Sequence, residues 1–365
     1  MSVSMPMELL ISTPLELRVI DLSQPLDELG REFREALASV GFVYVQAQGV
    51  DDILSEAFAT LRNFFDLSVD EKTHSCSTNR ALRGYSPLCC ENFASLAGTK
   101  RPNDPVEKFR VGPLASLPKS STPRSKAHAQ FYFSNTWPLH PAQLQPCVES
   151  LYSAMSMVAD RIAEGLASAL GLHTSYFKER MQHPTSILSA NHFPETPAGD
   201  ASASTHIAAH TDVSLFTIVA EQVQAGCHRS SSGLEVLVGD DTWLETPAKP
   251  GALIVNIGDC LSDWSQGAFA STVHRVVHKP GQEEGQSRLS LAFFVTPDPE
   301  SSVDPRRLAE DRQIAATSSG DLGSAAEASK GDEAPWAAVE SELTYFEWRK
   351  RRIKRAMNIL RGESR

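Results

Sequence analysis

The stretch AAHTDVSLFTIV, residues 208–219, decides the reading of this chain. Within it His210 and Asp212 stand two residues apart. Residues i and i+2 of an extended chain point to the same face. An imidazole and a carboxylate can therefore converge on one ion. His274, in the later run STVHRVV (271–277), offers a second imidazole from a distant strand.

Two His and one carboxylate on one face leave the opposite coordination positions open. That arrangement suits a non-haem Fe(II) centre that binds a cosubstrate and O2. Eleven histidines allow many chance pairings, so the motif needs company. Arg288 and Ser290 supply it. They too stand at i and i+2, inside the apolar run RLSLAFFV (288–295). Arg grips carboxylates through two parallel hydrogen bonds, and a nearby hydroxyl adds a third. A buried Arg also needs an anionic partner. An ion chelating one end of a dicarboxylate and an Arg holding the other would define a 2-oxoglutarate site.

Outward from this region the texture is β. Short apolar or alternating runs lie at 186–193, 214–220, 234–238, 252–257, 272–277 and 288–295. Such spacing predicts a sandwich or barrel. The N-terminal portion is helical. A strand is expected over Leu17 to Leu22, then a helix through Leu26, Leu29, Phe33, Leu37 and Val40, ended by Gly41. A strand at 42–45 and a helix through Leu54, Phe58, Leu61 and Phe65 follow. Residues 66–135 read as irregular. A long helix carries Leu151 to Leu170, with Gly171 at its C-terminal cap. The expected divisions are 17–135, a helical connection at 136–182, a core at 183–297, a flexible Ala/Ser/Gly-rich insertion at 317–335 and a C-terminal helix at 336–365. The fold class is α+β with a mainly β core.

Composition sets limits. The 365 residues are 41% hydrophobic and 22% charged, as in ordinary globular proteins. The formal charge of −11 argues against a nucleic-acid partner. The basic cluster from Arg349 to Arg355 is local and reads as a solvated helix face, with membrane or partner docking as the minor reading. No apolar run approaches a membrane span, and no secretory signal is evident. Six cysteines without a CxxC pair suit a reduced, cytoplasmic protein. The oligomeric state stays open, with a monomer favoured.

Taken together, these stretches resemble a known family. VIDLS (19–23), GFVYVQAQGV (41–50), RGYSPL (83–88), EKFRVG (107–112), NTWP (135–138), AAHTDVSLFTIV, GLEVL (233–237), PGALIVNIGDCL (250–261), STVHRVV and RLSLAFFV occur in the order of the isopenicillin N synthase-like branch of the 2-oxoglutarate/Fe(II)-dependent dioxygenases. The resemblance implies a double-stranded β-helix, or jelly roll, flanked by helices. It implies His210, Asp212 and His274 as Fe(II) ligands, and Arg288 and Ser290 on the far carboxylate of 2-oxoglutarate. It places Asn191 near the cosubstrate. Phe193 stands where family members often carry a tyrosine whose hydroxyl helps hold that cosubstrate, and a phenyl ring cannot donate this bond. Residues 222–232 look like extra chain.

The implied reaction oxidises an unactivated C–H bond of a small molecule with O2, releasing succinate and CO2. No acid–base side chain is required of the protein. Phe294, Ser189, Phe193, Tyr85 and Val213 are expected around the substrate. His206 and His278 are read as structural or exposed histidines, and His192 as facing away from the site. Asn256 and Asp259 are read as shaping a turn. Two other readings stand beside this one: an iron oxidase that takes no 2-oxoglutarate, as isopenicillin N synthase is, and a silent binding protein of the same fold.

Overall fold

The alternation read in RLSLAFFV is realised as a strand with two different faces, and that division organises the molecule. The structure, a computed structural model, describes residues 16–79, 81–114, 127, 131–194, 205–222, 233–277, 287–319 and 343–362. The strands are β1 (Val19–Asp21), β2 (Phe42–Gln46), β3 (Gly84–Ser86), β4 (Glu107–Val111), β5 (Ile187–Phe193), β6 (Thr205–His210), β7 (Phe216–Glu221), β8 (Leu234–Val238), β9 (Thr242–Glu245), β10 (Leu253–Ile257), β11 (His274–Val277) and β12 (Arg288–Val295). An eight-stranded sheet runs β1-β2-β10-β7-β12-β5-β4-β3. A four-stranded sheet runs β6-β11-β8-β9. The two sheets make the jelly roll.

The outer face of the large sheet carries Leu289, Leu291, Phe293 and Val295 of β12, Leu188 and Ala190 of β5, and Ile218 and Ala220 of β7. All belong to the larger core, which helices cover. The helices are α1 (Leu26–Leu37), α2 (Asp51–Phe65) and α4 (Leu144–Ala169), the last buried along most of its length. Close approach of α1 and α4 depends on glycine: a Cβ at Gly165 would lie 2.6 Å from the Phe33 ring. The inner face of the same sheet carries Phe42, Tyr44, Ile254 and Phe193, which meet Ile207, Leu234, Val236 and Val276 of the small sheet in a second core. Gly41 turns the chain into β2 at φ +68°, and a Cβ there would strike the Ala270 carbonyl.

The six expected strand runs and the N-terminal and central helices are present, Gly171 adopting the left-handed conformation expected of a cap. Residues 66–135 are not irregular throughout. They contain α3 (Val69–Cys76), a short 3-10 helix (Phe93–Ala97), β3 and β4. Ser68 and Glu71 close a reciprocal capping box that starts α3, an S-x-x-E signal legible in the sequence. The N-terminal portion also adds four strands to the large sheet, so it is continuous with the core.

Between α4 and the C-terminal helix lie α5 (Tyr176–Glu179), α6 (Asp259–Trp264) and α7 (Pro305–Ser319). The expected insertion begins inside α7, and 320–342 lie outside the described residues, as do 223–232. The final helix, α8 (Tyr345–Arg361), is capped by Thr344 and Gly362. Its basic cluster is not wholly solvated, because Arg352 turns inward to Asp259 at 2.7 Å. Among the described residues, no helix is long and apolar enough to cross a membrane.

Candidate metal and cosubstrate site

Antiparallel pairing of β6 with β11 sets His210 directly opposite His274. Their ring centroids lie 4.4 Å apart. Asp212 follows two residues after His210, where the chain leaves the strand. Its Oδ1 stands 3.6 Å from His210 Nε2 and 3.8 Å from His274 Nε2. One ligand atom from each residue fits within 4.8 Å, and all three residues are buried.

The surroundings fix which atoms face inward. His210 Nδ1 lies 2.7 Å from the Ala208 carbonyl, and His274 Nδ1 lies 3.1 Å from the Thr272 carbonyl. A carbonyl only accepts, so each Nδ1 carries the proton and each Nε2 presents a lone pair. Asp212 Oδ2 accepts from Thr217 Oγ1 at 2.6 Å and from Asn256 Nδ2 at 2.8 Å. Oδ1 is thereby left for the centre. Burial, and then repulsion from His274, push His210 down to about 3. Burial raises Asp212, but the neighbouring His274 and His210 and the bonds from Asn256 and Thr217 outweigh it, and its pKa falls. Neutral imidazole and ionised carboxylate are the ligating forms. Two nitrogens and one oxygen on one side of a cavity fit Fe(II) with open positions.

Arg288 and Ser290 line the same cavity, with Asn191, Ser189 and Phe294. Ladder pairing explains this: Ser290 lies opposite Asn191 and Ala292 opposite Ser189, so these residues share the inner face. Among the described residues, the buried Nε and Nη1 of Arg288 have no hydrogen-bond partner. Burial lowers its pKa, and Glu221, another cavity residue, opposes that shift. Two guanidinium donors without a described partner, in a cavity with a three-ligand centre, fit a carboxylate of a bound dicarboxylate.

Three expected pocket residues lie elsewhere. Tyr85 pairs with Phe109, on the face opposite Lys108 and Asn191, and its hydroxyl donates to Glu107 behind the sheet. Register excludes it from the cavity. Val213 sits in the turn after Asp212, where alternation is lost, and packs on the larger core. Phe193 does face inward but is covered: His206 stacks on it at 5.1 Å, and the Arg288 guanidinium lies 4.4 Å from its centroid. It seats the Arg instead of lining the pocket.

His206 is thus a ring partner, and His192 points outward to Glu107 and Phe65. His278 lies outside the described residues. Asn256 is not a turn residue. It sits within β10 and holds Asp212. Asp259 accepts from Thr211, Ser271 and Arg352, tying the loop between the two first ligands to α8. Phe93, Thr217 and Glu221 also line the cavity without having been expected there.

Comparison with known proteins agrees with this centre. Residues 184–297 match the model of the 2OG-Fe(II) oxygenase superfamily. Residues 17–140 match that of the non-haem dioxygenase in morphine synthesis N-terminal region. The chain is 29% identical over 273 residues to validamycin A dioxygenase of Streptomyces hygroscopicus subsp. limoneus, covering 74% of this chain and 72% of that one. It is 30% identical over 298 residues to azadirone synthase LFS of Melia azedarach, covering 77% and 82%. A solved 2OG-Fe(II) oxygenase family protein of Caulobacter crescentus superposes with a TM-score of 0.72 over 93% of this chain and 98% of that one, at 24% identity. The chain belongs to the 2OG-Fe(II) oxygenase superfamily and is a non-haem Fe(II)- and 2-oxoglutarate-dependent dioxygenase.

Proposed function

We propose that His210, Asp212 and His274 hold the Fe(II), that Arg288 and Ser290 hold the far carboxylate of 2-oxoglutarate, and that the substrate is a small molecule oxidised at an unactivated C–H bond. The observation that carries this reading is buried Arg288, which lines the same cavity as the three ligands and has two donors without a described partner. When bound, Fe(II) with 2-oxoglutarate and O2 supplies the oxidising equivalent, at the expense of decarboxylating the cosubstrate to succinate and CO2.

The protein's own part is placement and exclusion of water. The backbone carbonyls of Ala208 and Thr272 set the imidazole tautomers, and Thr217 with Asn256 sets the carboxylate rotamer. Apolar walls from Phe93, Ala292 and Phe294 keep the cavity dry. No proton relay is needed. The names of the two relatives, validamycin A dioxygenase and azadirone synthase, support a small-molecule substrate.

The oxidase reading without 2-oxoglutarate is not favoured, because the family model matched is that of the 2OG-Fe(II) oxygenases. Substituting His210→Ala or Asp212→Ala tests the iron assignment. Both variants should fold, lose stoichiometric Fe(II) binding and release no succinate from 2-oxoglutarate. Iron bound at full affinity in both would defeat it.

A further inference from the structure

The inner face of the large sheet continues beyond the cosubstrate clamp onto β4. There Lys108 lies opposite Asn191, and Arg110 lies opposite Ser189. Both cations therefore project to the side that Ser290 and Arg288 use. Lys108 is 1% exposed and Arg110 6%. Both bond Glu91: Lys108 Nζ at 3.2 Å, and Arg110 through Nη1 and Nη2, one to each carboxylate oxygen. Glu91 is the most open of the three.

Among the described residues, Lys108 Nζ has one hydrogen-bond acceptor, Glu91. An ammonium has three donors, and Glu91 takes one. Nζ also lies over the Phe93 ring, 3.8 Å from its centroid. That same ring meets His210, with centroids 4.8 Å apart, and lines the cavity. Lys108 thus stands one aromatic ring away from the iron ligands. Asp104, the other nearby acid, already accepts from the backbone N–H groups of Phe93 and Ala208. Burial and then Arg110 push Lys108 down to about 7, against the pull of Glu91 and Asp104. A further anion would be welcome at this point. Its class is indicated by the resident: a planar carboxylate already fits Arg110 in a two-pronged pair.

Resting on the assignment of the cavity as the oxidation site, we propose that Lys108 and Arg110 form a subsite for a carboxylate group of the substrate, with Glu91 as its internal competitor. Two strand spacings separate Lys108 from Ser290, about 10 Å across the sheet. A substrate anchored there by its carboxylate can reach across Phe93 and present a carbon to the iron face. The expected substrate class is an organic acid.

The test uses benzoate and its neutral isostere benzamide, titrated calorimetrically into anaerobic protein loaded with Fe(II) and saturating 2-oxoglutarate. The cosubstrate keeps the probe away from Arg288, and its own titration of the wild-type protein reads the cosubstrate assignment separately. Benzoate should bind about tenfold or more tightly than benzamide, a gap of about 1.4 kcal/mol. Lys108→Gln should weaken benzoate by a similar factor. Glu91→Gln, which keeps the shape and removes the competing charge, should strengthen it. A merely structural ion cluster predicts the reverse for Glu91→Gln, so the outcome does not hang on the lysine variant folding. With 2-oxoglutarate bound normally, equal binding of the two probes, no benzoate binding, or weaker benzoate binding in Glu91→Gln would each overturn the subsite alone.

Discussion

Asn256 Nδ2 donates to Oδ2 of Asp212 at 2.8 Å and, with Thr217 on the same oxygen, leaves Oδ1 as the atom that faces His210 and His274. The carboxylate is aimed before any ion arrives. Asn256→Ala removes one of two aiming bonds, and it should lower Fe(II) affinity about 10-fold to 100-fold with the fold retained. Anaerobic iron titration measures this. Unchanged affinity would show that Thr217 alone sets the rotamer.

Phe193 lacks the hydroxyl of the tyrosine that family members often carry there, and what it offers is its ring face. Its stack on His206 and its contact with Arg288 give the guanidinium a seat that hydrogen bonds do not provide. A desolvated cation–π contact contributes about 2 kcal/mol. Phe193→Leu keeps apolar bulk but loses the ring face. It should weaken 2-oxoglutarate binding by about tenfold while leaving Fe(II) affinity in place. Equal loss of both would mean that the core had collapsed locally.

Arg352 reaches from α8 to Asp259 Oδ2 at 2.7 Å, to Thr211 Oγ1 at 3.2 Å and to the Leu96 carbonyl at 3.1 Å. Thr211 lies between His210 and Asp212, so the C-terminal helix is fastened to the loop that bears two of the proposed ligands. Arg352→Ala leaves Asp259 short of a charged partner and should cost about 1–3 kcal/mol in unfolding free energy. Fe(II) affinity should fall with it. Denaturant unfolding and iron titration check both, and no change in either would make the helix an independent appendage.

Lys108 gives stability a pH dependence. Its folded pKa of about 7 lies below its ordinary value of 10.5. Between those limits the unfolded chain holds a proton that the folded chain has released, so this group makes stability rise with pH across the window. Below pH 7 the buried ammonium costs its full amount. Wild type should therefore gain on Lys108→Met as pH goes from 7 toward 10. Denaturant unfolding at several pH values reads the difference. A constant difference would mean that Lys108 titrates normally.

The proposed ligands were legible because strand geometry pairs i with i+2, and because Arg288 and Ser290 and the family resemblance backed a motif that is weak alone. Arg288, Ser290 and Phe294 followed from parity within their own strand, and Ser189 from parity with Asn191, which the family resemblance had placed. What failed was information held between strands. Tyr85 lies in a segment near the cavity, but its register with Phe109 turns it to the other face. Asn256 looked like a turn former until β10 paired with β7 and placed it opposite Thr217. Thr217 and Asn256 reach Asp212 across 5 and 44 residues, a relation no local pattern encodes. Arg352 looked like one charge in a solvated run, because its target Asp259 lies 93 residues upstream. The 3-10 helix bearing Phe93 was missed for want of length.

The central claim is that one cavity holds iron at His210, Asp212 and His274 and 2-oxoglutarate at Arg288. The most direct measurement is an anaerobic titration of 2-oxoglutarate into the Fe(II)-loaded protein, following the weak visible charge-transfer band of a keto acid chelated to ferrous iron. The band should appear, saturate at one equivalent per iron, and require far more 2-oxoglutarate in Arg288→Ala. Iron that binds without any band, or a titration indifferent to Arg288, would contradict it.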